Sequence, residues 1–368
     1  MDNLLNRILE QYQLHPERTA LIMQQAGQPD IPISYDRLLR GAAGAAALLQ
    51  QHGIQAGEVV ILVQQHGLGL VYSFFGAMLH GAIPAIMPFL TRKLSPEKYQ
   101  ADIRALMGIT QPVAILTEAA FLALMQDLAG PHSSARAVID IGACAPPEVL
   151  PELSTFGGVG RAAEEIVLLQ HSSGTTGLQK GVALSHRAVT RQLDTYAATL
   201  RLSAEDVIVS WLPLYHDMGL IAGFILPLAQ GVPLVLMSPL DWVVAPHRLL
   251  QAVSHYRGTL SWLPNFAYNF CAQKIRERDM AGVDLSSWRA VSNCSEPMRW
   301  ESHQQFYARF KSYGLRYAAL TTCYAMAENV FAVSQGGIDG AVQTLQVEAV
   351  TLINQRKLAP PEPGKPAL

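Results

Sequence analysis

The run from Ile166 to Ser185, IVLLQHSSGTTGLQKGVALS, sets a stretch of Ser, Thr and Gly between two short apolar segments. Apolar runs on both sides of turn-forming residues describe a strand, a loop and a second strand. The loop has the composition of an anion grip. Ser172, Ser173, Thr175 and Thr176 carry hydroxyl donors, Gly174 and Gly177 let backbone N–H groups approach without a Cβ in the way, and Lys180 brings positive charge. A Walker A loop requires Gly-Lys-Ser/Thr flowing into a helix. Here Lys180 is followed by the β-like Gly181-Val-Ala-Leu184, so the grip lies between strands and that fold is excluded.

Around this loop, helical patterns alternate with short β-rich runs along most of the chain, the sequence form of stacked βαβ units and a mainly parallel sheet. Ser34 caps a helix through Gln51, strand Val59 to Val63 follows, and an apolar helix near Leu70 to Leu79 leads to strand Ile83 to Met87. Ser95-Pro96 opens another helix, and Val113 to Leu116 and Ala137 to Ile141 continue the strands. A Pro/Gly-rich connector from Gly142 to Gly160 separates this half from the loop. Beyond it, Ser185 caps a helix to about Leu200, and strands near Val207 to Trp211, Leu234 to Met237, Thr259 to Trp262, Ala290 to Ser292 and Tyr317 to Leu320 alternate with helices. At 368 residues, two α/β units are expected rather than one.

Composition narrows the function classes. Charged residues make up 15% of the chain and the hydrophobic fraction is 50%, against roughly 25% charged in an average soluble domain. A large core follows, and a net charge of −2 gives no case for nucleic acid or for a polybasic membrane contact. Gly67 to Leu90 and Met218 to Leu240 are long enough to cross a bilayer. Gly81 and Pro84 interrupt the first, and Gly231 and Pro233 the second, so each reads as a buried helix followed by a strand, with no membrane span. Cys144, Cys271, Cys294 and Cys323 show neither Cys-x-x-Cys pairing nor zinc spacing, which suits reduced thiols in a cytoplasmic protein. The N-terminus reads as an amphipathic helix opening on Asp2 and not as a signal sequence.

Ser172-Ser-Gly-Thr-Thr-Gly-Leu-Gln-Lys-Gly-Val182 resembles the phosphate loop of the adenylate-forming superfamily, which holds acyl-CoA synthetases, fatty acyl-AMP ligases and peptide-synthetase adenylation domains. Gln179 stands where the family usually has proline. Three further motifs follow in the family's order. Trp211-Leu-Pro-Leu-Tyr-His-Asp-Met-Gly219 is similar to the segment bordering the acyl and carboxylate pocket, most like the form in fatty acyl-AMP ligases, which puts His216 near the reacting carboxylate. Ser292-Asn-Cys-Ser-Glu-Pro297 resembles the Asn-Gly-Ala-Glu-Pro turn of the adenine pocket, implying nucleotide contacts for Asn293, Cys294, Ser295 and Glu296. Thr321-Thr-Cys-Tyr-Ala-Met-Ala-Glu328 resembles the Tyr-Gly-x-x-Glu element. By that resemblance Tyr324 stacks on adenine, Thr322 lies beside the α-phosphate, and Glu328, with Thr176, holds Mg²⁺. Cys294 and Ala325 replace family glycines; at Cys294 this implies either a small backbone change or a narrowed adenine slot, and Cys294 and Cys323 are expected near the nucleotide.

The resemblance implies two doubly wound, mainly parallel-sheet subdomains of the adenylation large domain over residues 1–334, with ATP motifs from 170 to 328. Residues 335–368 read as a partial insertion-like segment and a Pro-rich tail. Nothing after Glu328 matches the family's small C-terminal domain, which implies that this domain is absent and turnover weak. The implied activity is ATP- and Mg²⁺-dependent activation of a carboxylic acid, with a fatty acyl group favoured, as acyl-AMP, through Lys180, His216, Thr322 and Glu328. Ser334 to Gly337 and Leu345 to Leu358 resemble the inserted segment of fatty acyl-AMP ligases, which implies transfer to an acyl carrier protein. An acyl-CoA synthetase, with CoA as acceptor, and a silent nucleotide- or acyl-binding module remain open. Apolar residues from Leu212 to Leu240 and Trp262 to Phe270 fit either an acyl pocket or plain core.

Overall fold

The computed structural model describes residues 3–91, 94–131, 133–172 and 180–364, with backbone only at Ser172 and Lys180. Its strands form two sheets. The first carries β3 (Val59–Val63), β4 (Ile83–Ile86), β5 (Ala114–Thr117), β6 (Ala137–Asp140), β7 (Ile166–Ser172) and β8 (Lys180–Ser185), in the order β6-β5-β3-β4-β7-β8. The second has eight strands. They are β1 (Thr19–Gln24), β2 (Ile31–Ser34), β9 (Ile208–Ser210), β10 (Leu234–Met237), β11 (Leu260–Leu263), β12 (Ala290–Cys294), β13 (Leu320–Ala325) and β14 (Ala332–Gln335), in the order β14-β13-β12-β11-β9-β10-β1-β2. Both sheets are parallel except at the hairpin β7/β8 and at the edge strands β2 and β14. This is the α/β, two-sheet architecture expected for the adenylation large domain.

The helix starts follow from local chemistry. α1 (Leu4–Leu14) is capped by Asn3, α2 (Tyr35–Gln51) by Ser34, α4 (Pro96–Thr110) by Ser95, and α6 (His186–Leu200) by Ser185, each side chain accepting a first-turn N–H. α3 (Leu68–His80) ends at Gly81, whose φ of 94° is the left-handed cap that glycine supplies without strain. α5 spans Leu122–Leu128. α2 and α3 cross closely because Gly76 lacks a side chain. A Cβ there would lie 2.5 Å from the Ala45 Cβ and 2.7 Å from the Ala42 carbonyl oxygen.

One buried apolar cluster joins the two sheets, with residues of α2 and α3 packed among strand residues of both. Phe74 and Phe75 of α3 meet Phe224 of the eight-stranded half at 5.7 and 5.3 Å between centroids. A smaller cluster fills the outer face of the six-stranded sheet, under α4 and α5.

The sheets do not divide at the 142–160 connector. β7 and β8, after it, complete the six-stranded sheet, while β1 and β2, near the N-terminus, join the eight-stranded one through the parallel pairing Leu21↔Leu234. β13 begins at Leu320, after a turn of 3₁₀ helix at Tyr317–Ala319 where a strand was expected. The 343–354 run becomes a short helix, Ala349–Gln355, capped by the Glu348 carboxylate. Among the described residues no helix is long and apolar enough to cross a membrane.

Candidate nucleotide and acyl site

Because β9, β11, β12 and β13 are neighbours and parallel, their C-terminal ends share one edge of the sheet. Ligands collect at that edge in open α/β sheets, above all where strand order reverses. The reversal falls between β9 and β11, since β10 lies on the opposite side of β9. All three motifs downstream of the phosphate loop sit there: His216 and Asp217 after β9, the 294–297 turn at the end of β12, and Tyr324 to Glu328 running out of the end of β13.

His216 Nδ1 lies 2.6 Å from Asp217 Oδ1, and the same oxygen accepts from the Met218 N–H at 2.7 Å. A contact that short between ring nitrogen and carboxylate calls for a proton between them, with Nδ1 as the donor. Asp217 is buried and His216 partly exposed, so the carboxylate orients the imidazole from beneath. Residues Met218–Ile225 continue as π-helix, a rare form that is frequent at functional sites.

Asn293 is wholly buried. Its Nδ2 donates to Asn265 Oδ1 at 3.0 Å and lies 3.1 Å from His303 Nε2, while Asn265 Oδ1 also accepts from the Arg299 N–H. Burial pulls His303 down to about 4, so its ring is neutral and accepts from Asn293. The Nδ2 of Asn293 therefore braces the turn from below, while its buried Oδ1 has no protein partner among the described residues.

Cys294 is equally buried and sits opposite Cys323 in the β12/β13 register. The adjacent Cys323 thiol and then burial push Cys294 well up, which keeps it a thiol. Neither Cys294 nor Ala325 has a positive φ; the left-handed residue of the turn is Ser295, at φ 65°. Cys294 packs within the buried core cluster, and its backbone needs no left-handed conformation that only glycine would supply. Glu296 is also engaged: its Oε2 accepts from the Phe266 N–H at 3.0 Å, at the start of helix Asn265–Lys274.

Tyr324 is 54% exposed, an unusual state for a large aromatic and one suited to stacking. Thr322 is half-buried beside a cleft of about 710 Å³ walled by Arg299, His303, Val342 and Gln346. Glu328 is exposed on a 3₁₀ turn, Ala327–Asn329. No group of three or more His, Cys, Asp or Glu gathers as a metal cage among the described residues, so a dication at Glu328 would need ligand oxygens as well. Ser173, Gly174, Thr175, Thr176 and Gly177, expected to bind phosphate, lie outside the described residues, as do the side chains of Ser172 and Lys180. The backbone on either side forms the expected hairpin, with Ser172 paired to Lys180.

Some supporting residues escaped the motifs. The Trp262 indole donates to Tyr196 Oη at 2.7 Å, that hydroxyl donates to Gln335 Oε1 at 2.8 Å, and Gln335 Nε2 reaches Ser292 and Thr321, each at 3.3 Å. This chain of bonds ties β11, β12, β13 and β14 together under the rim. Gln170, in β7, donates across to the Glu328 turn. A glutamine inside an apolar strand was the one sequence sign of it. Residues Trp211, Trp242, Phe266 and Phe270 pack on one another, with Trp211 and Trp242 stacked at 3.5 Å between centroids and Phe266 still 46% exposed at the edge of the group.

The profile of the AMP-binding enzyme family matches residues 8–361, nearly the whole chain. The chain belongs to that family. Among curated AMP-binding relatives, the medium-chain fatty acid acyl-carrier-protein ligase JamA of Moorena producens is 31% identical over 93% of this chain and 58% of its own length. The long-chain fatty acid AMP ligase FadD26 of Mycobacterium marinum is 30% identical over 80% of this chain and 50% of its own. The structure of the fatty acyl-adenylate ligase of L. pneumophila, in complex with acyl adenylate and pyrophosphate, superimposes with a TM-score of 0.89 at 27% identity, covering 100% of this chain and 62% of that one. This family member thus spans between half and two thirds of the length of the relatives it matches.

Proposed function

We propose that the chain is the ATP- and acyl-binding part of a fatty acyl-AMP ligase. The observation that carries this reading is the gathering of His216, the 294–297 turn, Tyr324 and Glu328 at one sheet edge, with Gln170 linking that edge to the strand that enters the phosphate loop. A carboxylate oxygen of the fatty acid would attack the α-phosphorus of ATP in line, forming acyl-AMP as the bond to pyrophosphate breaks. Such chemistry needs positioning and neutralised charge more than covalent help. The Ser172 to Lys180 loop would hold the β- and γ-phosphates, Tyr324 would stack on adenine, Thr322 would meet the α-phosphate, and His216 would sit by the carboxylate. Mg²⁺, when bound, would be held by Glu328 and phosphate oxygens and would supply charge neutralisation. The likeness to JamA supports an acyl carrier protein as acceptor, and four free cysteines suit the reducing cytoplasm.

Single-turnover mass spectrometry with ATP, Mg²⁺ and a fatty acid tests the reading, with stoichiometric acyl-AMP as the expected result. No acyl-AMP together with no nucleotide binding would sink it. The Glu328→Gln variant should lose roughly 100-fold or more in adenylation rate, as expected when charge stabilisation of a transition state is removed. Efficient thioester formation with CoA, and none with a carrier protein, would instead favour an acyl-CoA synthetase.

A further inference from the structure

Gln170 is 3% exposed, on the face of β7 turned toward the eight-stranded half, two residues before the phosphate loop. Its Nε2 donates to two carbonyl oxygens, Ala327 O and Val330 O, both at 2.8 Å. Those carbonyls bracket Glu328: one belongs to the peptide that enters the residue, the other lies two residues beyond it. One amide nitrogen thus holds both ends of the segment that carries the carboxylate.

The segment needs holding. Val330 has φ 67° and ψ −54°, and Phe331 N–H donates to Asn329 O at 2.8 Å, a γ-turn of the rare strained hand. A β-branched residue is a poor occupant of that region, and such outliers persist only where the surroundings over-determine them. Met326 N–H donates to Phe331 O at 2.8 Å, and Asn329 Nδ2 to Ala332 O at 2.7 Å, closing the turn from within. Gln192 of α6, with its amide turned to satisfy the network, adds donation to Asn329 O at 2.7 Å and Ala332 O at 3.1 Å. Of these contacts, the one from Gln170 reaches the other sheet.

We propose that Gln170 is a positioning residue that couples β7, the strand leading into the phosphate-loop sequence, to the turn that carries Glu328. The inference rests on the nucleotide reading given above. Movement of β7 passes to the Ala327–Val330 turn through one side chain, and ordering of either arm by ligand orders the other.

Calorimetric titration of the full chain with ATP and with AMP, in the presence of Mg²⁺ and in EDTA, tests it. The unaltered chain should bind ATP more tightly with Mg²⁺ than without. In Gln170→Leu that Mg²⁺ enhancement should fall by about tenfold, within the roughly 5- to 150-fold range of coupling between sites. AMP, which lacks the phosphate tail, should bind equally well to both. Adding Val330→Gly, which accepts a positive φ without strain, should leave the enhancement low because the link is still missing; restoration of the enhancement would mean that Gln170 only steadies a strained turn and would overturn the coupling. Should Gln170→Leu fail to fold, Gln170→Asn keeps the amide but is too short to reach both carbonyls, and the same loss is expected. Equal Mg²⁺ enhancement in the folded variant and the unaltered chain would overturn the coupling alone. No ATP binding by the unaltered chain would overturn the coupling together with the functional reading.

Discussion

Thr322 is held in place by a residue with no side chain. Gly336 N–H donates to the Thr322 carbonyl, and a Cβ at Gly336 would stand 2.6 Å from Thr322 Oγ1 and 3.1 Å from its carbonyl oxygen. Gly336→Ala should therefore cost about 1–3 kcal/mol, the usual penalty for forcing volume into a packed site, and weaken ATP binding. Gly337 has nothing within 4 Å of its would-be Cβ, so Gly337→Ala should leave the urea midpoint unchanged and serves as the control. Cys294 and Cys323 show how motif matching and burial separate: both align with adenine-pocket motifs, yet they are 0% and 1% exposed, on the core side of the turn. The identity of a motif residue was legible in the sequence. Whether its side chain faced ligand or scaffold was not, because that depends on strand register with a neighbour.

Among the elements, α1 is pinned by a titratable group: His186 Nδ1 accepts the Leu4 N–H at 3.1 Å. Burial, with Arg161 as a smaller contribution, pulls this histidine down to about 4, against roughly 6.5 in an unfolded chain. Between those values the unfolded state binds the proton and the folded state does not, so the stabilisation is full above about pH 6.5 and drains away as pH falls toward 4. Urea midpoints measured from pH 7.5 to 4.5 should drop through that window. His186→Gln, which can still accept the Leu4 N–H, should make the drop smaller without abolishing it, because burial holds His66, His171 and His303 down to about 4 as well. Most elements were legible where a cap and a periodicity coincided, as at Ser34, Ser95 and Ser185. β1 and β2 were not foreseen, since six- and four-residue runs next to helices carry little period-two signal. The π-helix at Met218–Ile225 was read as ordinary helix, because apolar residues all round hide the period.

In the whole molecule, the two halves are interleaved and share one core through α2 and α3. Residues 1–150 expressed alone should lack a partner for β1 and for the β4 edge, and 151–368 should lack β1 beside β10, so each piece should be largely unfolded by circular dichroism. Two independently folded fragments would contradict the shared core. A protease cut within 142–160 should instead leave the nicked pieces associated. The same pairing bears on how the chain is made. Leu21 leaves the ribosome 234 − 21 = 213 residues before its sheet partner Leu234. At synthesis rates of roughly 5–20 residues per second, β1 and β2 wait about 10–40 s with apolar edges exposed. The six-stranded sheet, complete by Ser185, can close during that interval. Nascent-chain chaperones should therefore engage the first 35 residues for longer than any later segment, and slowing translation between 185 and 234 should raise aggregation without altering the finished protein.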